Sequence, residues 1–199
     1  MLSFSAAARK RDVLFIMGAD GREAPSDILI EKEITKEVAK LYAASNDVVR
    51  IAVIAYGQAA HVAIPFTAIG DNALRAIDSV TPRSYGRNIE AALTASADLM
   101  VANGNAEAER AAIVFYNKPV QQPGAAVLER LAKENVRLIS IGIGREAGLV
   151  DGSKITGKDD MSVLAKSVVE AKHVAGVVSL LVLSGAAGFH PFRNLTHAI

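Results

Sequence analysis

Two glycine-bearing segments have the composition of nucleotide loops and are the first places in this chain where chemistry could reside. Gly142-Ile143-Gly144-Arg145-Glu146-Ala147 follows an apolar run and matches the dinucleotide pattern GxGxxG/A, in which backbone amides approach a pyrophosphate. It comes after a late strand, however, and no strand ending in an acid lies about 20 residues further on to take a ribose hydroxyl. Gly152-Ser153-Lys154-Ile155-Thr156-Gly157-Lys158-Asp159 approaches a phosphate-binding loop, but Asp159 stands where Ser or Thr should hold magnesium. A carboxylate there repels phosphate, so the segment reads as a polar loop with Asp159 or Asp160 beginning the next helix. A nucleotide-binding enzyme using the Gly142 or Gly152 loop is therefore the alternative reading of the chain, not the leading one.

Other catalytic arrangements are thin. His61, His173, His190 and His197 lie at strand starts or in the tail, and none has a nucleophile or carboxylate placed beside it by a recognisable motif. Glu31-Lys32-Glu33 and Lys36-Glu37 read as a solvated helix face carrying charge pairs. No catalytic residue is nominated, no cofactor is implied, and the expectation is a protein that is not an enzyme.

Composition narrows the partners. With 22 Lys plus Arg against 21 Asp plus Glu there is no overall field to gather nucleic acid or an anionic membrane. The absence of cysteine removes disulfides, thiolate metal sites and cysteine nucleophiles. A length of 199 residues with 51% hydrophobic content suits one well-buried domain. We expect residues 1–11 to form an N-terminal linker, because the apolar stretch there is too short for a signal-peptide core and Arg9-Lys10-Arg11 follows it on the wrong side. Residues 12–199 form the domain. Val174 to Phe189 carries no charge, yet it falls short of the roughly 20 apolar residues of a membrane span and contains three glycines. No span is expected, and the segment reads as a buried last strand.

The elements that must position any site alternate between short apolar runs and helical patterns, which predicts a doubly wound α/β domain. Strands are expected at Val13 to Met17, Val48 to Tyr56, His61 to Thr67, Ala111 to Tyr116, Val136 to Ile143 and Val174 to Leu183. Ile30, Ile34, Val38 and Leu41 stripe a helix introduced by Pro25 and Ser26, and Ile89, Leu93, Leu99 and Met100 stripe another, with Val127, Leu128 and Leu131 on a third. Only Gly57 to Ala60 separate the second and third strands, too few for a helical crossover, so that pair is antiparallel. The expected architecture is a mostly parallel six-stranded sheet with one antiparallel edge strand and helices on both faces.

Asp12-Val13-Leu14-Phe15-Ile16-Met17-Gly18-Ala19-Asp20-Gly21-Arg22, Val49 to Tyr56, Gly86-Arg87-Asn88-Ile89-Glu90-Ala91-Ala92-Leu93 and Leu138 to Gly144 occur in an order that resembles the von Willebrand factor type A domain. The similarity covers about residues 12 to 145, with a flavour of the A domains of matrix proteins such as collagen VI. In that Rossmann-like family a metal-ion-dependent adhesion site, written Asp-x-Ser-x-Ser plus a Thr and a second Asp, crowns the sheet. The matching positions here are Gly18, Asp20, Arg22, Arg87 and Asn117.

The resemblance implies a non-enzymatic protein-binding or adhesion module, extracellular or matrix-type, engaging protein ligands or neighbouring domains of its own or another chain. The substitutions imply a degenerate site that holds no metal. A hard divalent ion wants several oxygen ligands, with carboxylates among them. Gly18 has no side chain, Arg22 and Arg87 add positive charge, Asn117 offers a neutral oxygen, and Asp20 is the one carboxylate at these positions. Arg87 or Arg22, held by Asp20, could stand where an ion would and receive a partner's carboxylate directly.

Overall fold

The computed structural model describes residues 8–18, 20, 23–81, 85–158 and 161–183. Its sheet has six strands in the order β3-β2-β1-β4-β5-β6. These are β1 (Lys10–Gly18), β2 (Val48–Tyr56), β3 (Ala60–Ala68), β4 (Glu109–Tyr116), β5 (Val136–Ile143) and β6 (Ser162–Ala165). All neighbours run parallel except β2 and β3, whose antiparallel pairing puts β3 on one edge. The short β2–β3 connection dictates this arrangement. The ladder slips register along β3, where Pro65 has no amide to contribute, as an edge strand tolerates.

Alternation along the strands builds two cores. Val13, Phe15 and Met17 of β1 face one side with Ile51, Val53 and Ile113, while Leu14 and Ile16 face the other with Ile54 and Val114. The first side is covered by α1 (Pro25–Ala43), α2 (Asp71–Ser79) and α6 (Ala171–Leu183), and the second by α3 (Ile89–Asn103), α4 (Ala125–Lys133) and α5 (Leu149–Thr156). Burial on both faces explains why the central strands are apolar throughout. Proline at the first turn starts α1, and the Asn88 side chain caps α3 by accepting from the Ala91 amide at 3.0 Å.

The sixth strand is not where the composition placed it. Val174 to Leu183 belongs to α6, and β6 is the four-residue run Ser162–Ala165. The valine content suggested a strand, but the buried residues are Ala171, Val174, Ala175, Val178, Leu181 and Val182, a spacing of three and four that only a helix can bury on one side. Packing against α1 makes that stripe worth forming, and it overrides the β preference of valine. The segment from Gly152 is likewise not a loop: it lies in α5, which ends at Gly157 in the left-handed region (φ 70°) with its amide on the Ser153 carbonyl. Asp159 and Asp160, and the tail from Gly185, lie outside the described residues.

β1 begins at Lys10, so the expected linker at residues 1–11 overlaps the first strand. Arg11 is buried there, with its guanidinium on Asp47 at 2.7 Å, on Glu109, and on the Val182 carbonyl at 3.2 Å. Arg137 donates to the Leu181 carbonyl at 2.6 Å, so two cations from the sheet meet the negative end of α6. Among the described residues no helix is long and apolar enough to cross a membrane.

Candidate functional site

The parallel strands β1, β2, β4 and β5 all end on one edge, and chain connections leave β1 and β4 toward opposite faces. A doubly wound sheet opens its ligand crevice at such a switch point. Asp20 and Glu23 follow β1, Arg87 precedes α3, and Asn117 and Lys118 follow β4. All of them converge on this crevice.

Arg87 is the centre of charge. Its Nη2 lies 3.5 Å from Asp20 Oδ2 and its Nε lies 4.0 Å from Glu23 Oε1, so two acids flank the guanidinium. Nε and Nη2 are buried and make no hydrogen bond among the described residues, while about a quarter of the side chain is exposed (24%). Arg22 lies outside the described residues.

Asp20, the one carboxylate at the matching positions, has other acids around it. Glu23 and Asp27 lie beside it and Glu31 lies beneath. Gly18 explains Glu23: a Cβ on Gly18 would come 2.5 Å from Glu23 Oε1. The glutamate therefore occupies the space that a side chain at position 18 would need. Asn117 donates through Nδ2 to Asp27 Oδ2 at 3.2 Å, and its buried Oδ1 has no hydrogen-bond partner among the described residues. Glu23, Asp27 and Asn117 line a cleft of ≈ 200 Å³ with Lys118, Arg145 and Glu146 at its mouth.

Burial pushes the Glu23 carboxyl up to about 7, against the pull of Arg87 and with help from the charges of Asp20 and Asp27. Burial also pushes Glu31 well above the usual carboxylate range, and the charge of Glu23 adds to this. Glu31 is fully buried, and among the described residues its oxygens make no geometrically sound hydrogen bond, the nearby Gly18 backbone offsetting the effect only in part. The expectation of a solvated charged face thus fails at Glu31, although Glu33 does pair with Lys36 at 3.3 Å. Its position was readable: Glu31 stands three before Ile34 and four before Thr35, both buried.

This donor set does not fit a divalent ion. The residue that would supply the first ligand has no side chain, and a guanidinium stands against Asp20. Among the described residues no three His, Cys, Asp or Glu side chains are grouped so as to hold a metal.

The nucleotide look-alikes prove to be packing devices. A Cβ on Gly142 would meet Leu164 Cδ2 at 2.6 Å, and one on Gly152 would meet Ser140 Oγ at 2.5 Å and Ser162 Oγ at 2.6 Å. Gly152 lets α5 approach the sheet over the Ser140–Ser162 hydrogen bond of 2.9 Å, so neither backbone is open to a phosphate. Asp27 Oδ1 lies 3.2 Å from where a Cβ on Gly144 would be, another obstacle to an anion. Gly152→Ala is expected to destabilise the domain by about 1–2 kcal/mol through overpacking, measured by urea unfolding, with no response to ATP in either protein.

The fold and this rim define a doubly wound α/β domain whose functional edge is the carboxyl end of a mostly parallel sheet. The chain belongs to the von Willebrand factor type A family, whose sequence pattern matches residues 21–174. Its structure is similar to proximal thread matrix protein 1 of the mussel byssus, with a TM-score of 0.71 and 18% identity over 88% of this chain and 46% of that one. Another structure of that mussel protein carries zinc in its adhesion-site motif. Similar too are a von Willebrand factor type A protein of Catenulispora acidiphila (TM-score 0.69, 16% identity, 88% of this chain and 43% of that one) and an aerotolerance-related membrane protein of Bacteroides fragilis (0.70, 12%, 86% and 98%). The chain spans about half the length of the mussel protein and less of the Catenulispora one. No curated protein matches it. Domains of this family generally mediate protein interactions.

Proposed function

We propose that this domain binds a polypeptide partner through an acidic side chain received by Arg87, in a degenerate adhesion site that works without a metal ion. The observation that carries this reading is the guanidinium between Asp20 and Glu23 at the mouth of the crevice. Buried carboxylates fix its position, and planar donors suit a carboxylate from outside. On this reading Gly18, Asp20, Arg87 and Asn117 belong to the partner-binding edge; Arg22, which the sequence also assigns to it, lies outside the described residues. The cleft beside them brings Lys118 and Arg145 within reach of further acidic residues. The reading is of a binding module and not of an enzyme: among the described residues the crevice brings together acids, an amide and a guanidinium. A matrix or other extracellular setting, of the kind collagen VI-type proteins occupy, is supported by similarity to a byssus matrix protein.

The test is a peptide array in which one Asp or Glu stands among neutral residues, with Asn and Gln controls, probed in a chelating buffer. Acid-bearing peptides should be retained by the native domain. Arg87→Ala should weaken them at least about tenfold, as expected when one partner of a close charge pair is removed. Equal retention by Arg87→Ala, or retention only after magnesium is added, removes the proposal.

A further inference from the structure

Glu23 does not match a ligand position of the adhesion motif, yet its carboxylate lies against both Gly18 and Arg87. It follows β1 by a short loop whose Glu23 amide bonds the Asp20 carbonyl at 2.9 Å. Its carboxylate lies under Arg87 and over the bare backbone of Gly18, and only 3% of the side chain is exposed. Gly18 is outside the left-handed region, so its missing side chain serves space and not backbone shape.

We propose that Glu23 is the positioning residue of the rim, its carboxylate using the space left by Gly18 to anchor Arg87 from below while Asp20 holds it from the side. Two consequences follow from the geometry. Any side chain at position 18 evicts the carboxylate and loosens Arg87, although the glutamate is flexible enough to leave the fold intact. The anchor is also sensitive to protons: the groups facing Glu23 are Arg87 and, at the cleft mouth, Lys118, which favour its charge, Asp20 and Asp27, which oppose it, and the buried, protonated Glu31 and Tyr56. When Glu23 takes a proton, Arg87 keeps Asp20 alone.

This inference deepens the reading of Arg87 as the receiving group, but its test needs no partner. The experiment follows the Arg87 Nε–Hε resonance by nitrogen-15 NMR across the neutral pH range in the native domain, Gly18→Ala, Glu23→Gln and Glu23→Asp. The native signal should be distinct from those of exposed arginines and should move with a midpoint near the Glu23 value of about 7. In Gly18→Ala and Glu23→Gln the pH-dependent movement should be lost and the signal should fall among the mobile arginines, with Glu23→Asp keeping part of it. Amide spectra of Gly18→Ala confirm that it folds. If that variant does not fold, the Glu23→Gln comparison decides. An Arg87 signal that is unchanged in Glu23→Gln, or that titrates there as in the native protein, overturns the inference. Failure of the peptide array with these NMR results intact would remove the partner reading and leave the anchor standing.

Discussion

Glu31→Met stabilises the domain by about 2–3 kcal/mol at neutral pH, and the gain shrinks as the medium is acidified. Glu31 buries a carboxyl that has no sound hydrogen bond among the described residues, a situation that costs about 1–3 kcal/mol by mutational measures. Methionine of similar length replaces it with matter that prefers the interior. The sign of the pH effect follows from proton linkage. The folded carboxyl titrates well above its ordinary value of 4.5, so between that value and the folded one the native state holds a proton that the unfolded chain has released. Stability is therefore lost as the pH rises through this window, at about 1.4 kcal/mol per unit while the folded group stays protonated. The methionine variant lacks that slope. Urea unfolding of both proteins at several pH values measures the difference. A gain that does not vary with pH would mean that Glu31 is ionised in the native domain.

Arg87→Thr, which installs the residue found at the matching position of metal-binding relatives, lowers stability by about 2–3 kcal/mol. Asp20 and Glu23 are nearly closed off from water and would lose their guanidinium. Stripping one partner from a buried pair costs about 3–5 kcal/mol; we discount this because the arginine is a quarter exposed and stands 3.5–4.0 Å from its partners. Without Arg87 the Glu23 carboxyl rises further above 7, so the variant should lose most stability on the alkaline side and least below neutrality. Thermal unfolding across that range checks both the size and the slope. A loss that is the same at every pH would assign the arginine to packing and not to charge.

Much of the fold was legible because burial on both faces of a parallel sheet writes itself as unbroken apolar runs. The expected bounds of Val48–Tyr56 and Val136–Ile143 coincide with β2 and β5. The four-residue Gly57–Ala60 connection fixed the antiparallel edge. What failed were elements whose identity depends on neighbours. Val174–Leu183 is helical because α1 offers a face to its stripe, and β6 is too short to show any period. The nine residues of α2 bury only Ala73 and Ile77, too little to stand out from a loop in the sequence.

The site was legible by position and not by mechanism. Asp20, Arg87 and Asn117 converge at the crevice, and Asp20 holds Arg87. Glu23 and Glu31 were missed for different reasons. The weight of Glu23 comes from the space above Gly18, which no one-dimensional pattern records. Glu31 is followed by Lys32, Glu33 and Lys36, which do reach water, and only its offset from Ile34 and Thr35 gives it away. The glycines at 142 and 152 show the reverse error, in which a motif-like string reflects close packing of helix on sheet.

The central claim is that a guanidinium, and not an ion, supplies the positive charge of this rim. Crystals of the native domain grown with manganese, with diffraction recorded at the metal's absorption edge, test it most directly. We predict no anomalous peak in the crevice, with Arg87 in place between Asp20 and Glu23. An ordered manganese bound to Asp20, with Arg87 turned away, would contradict the account.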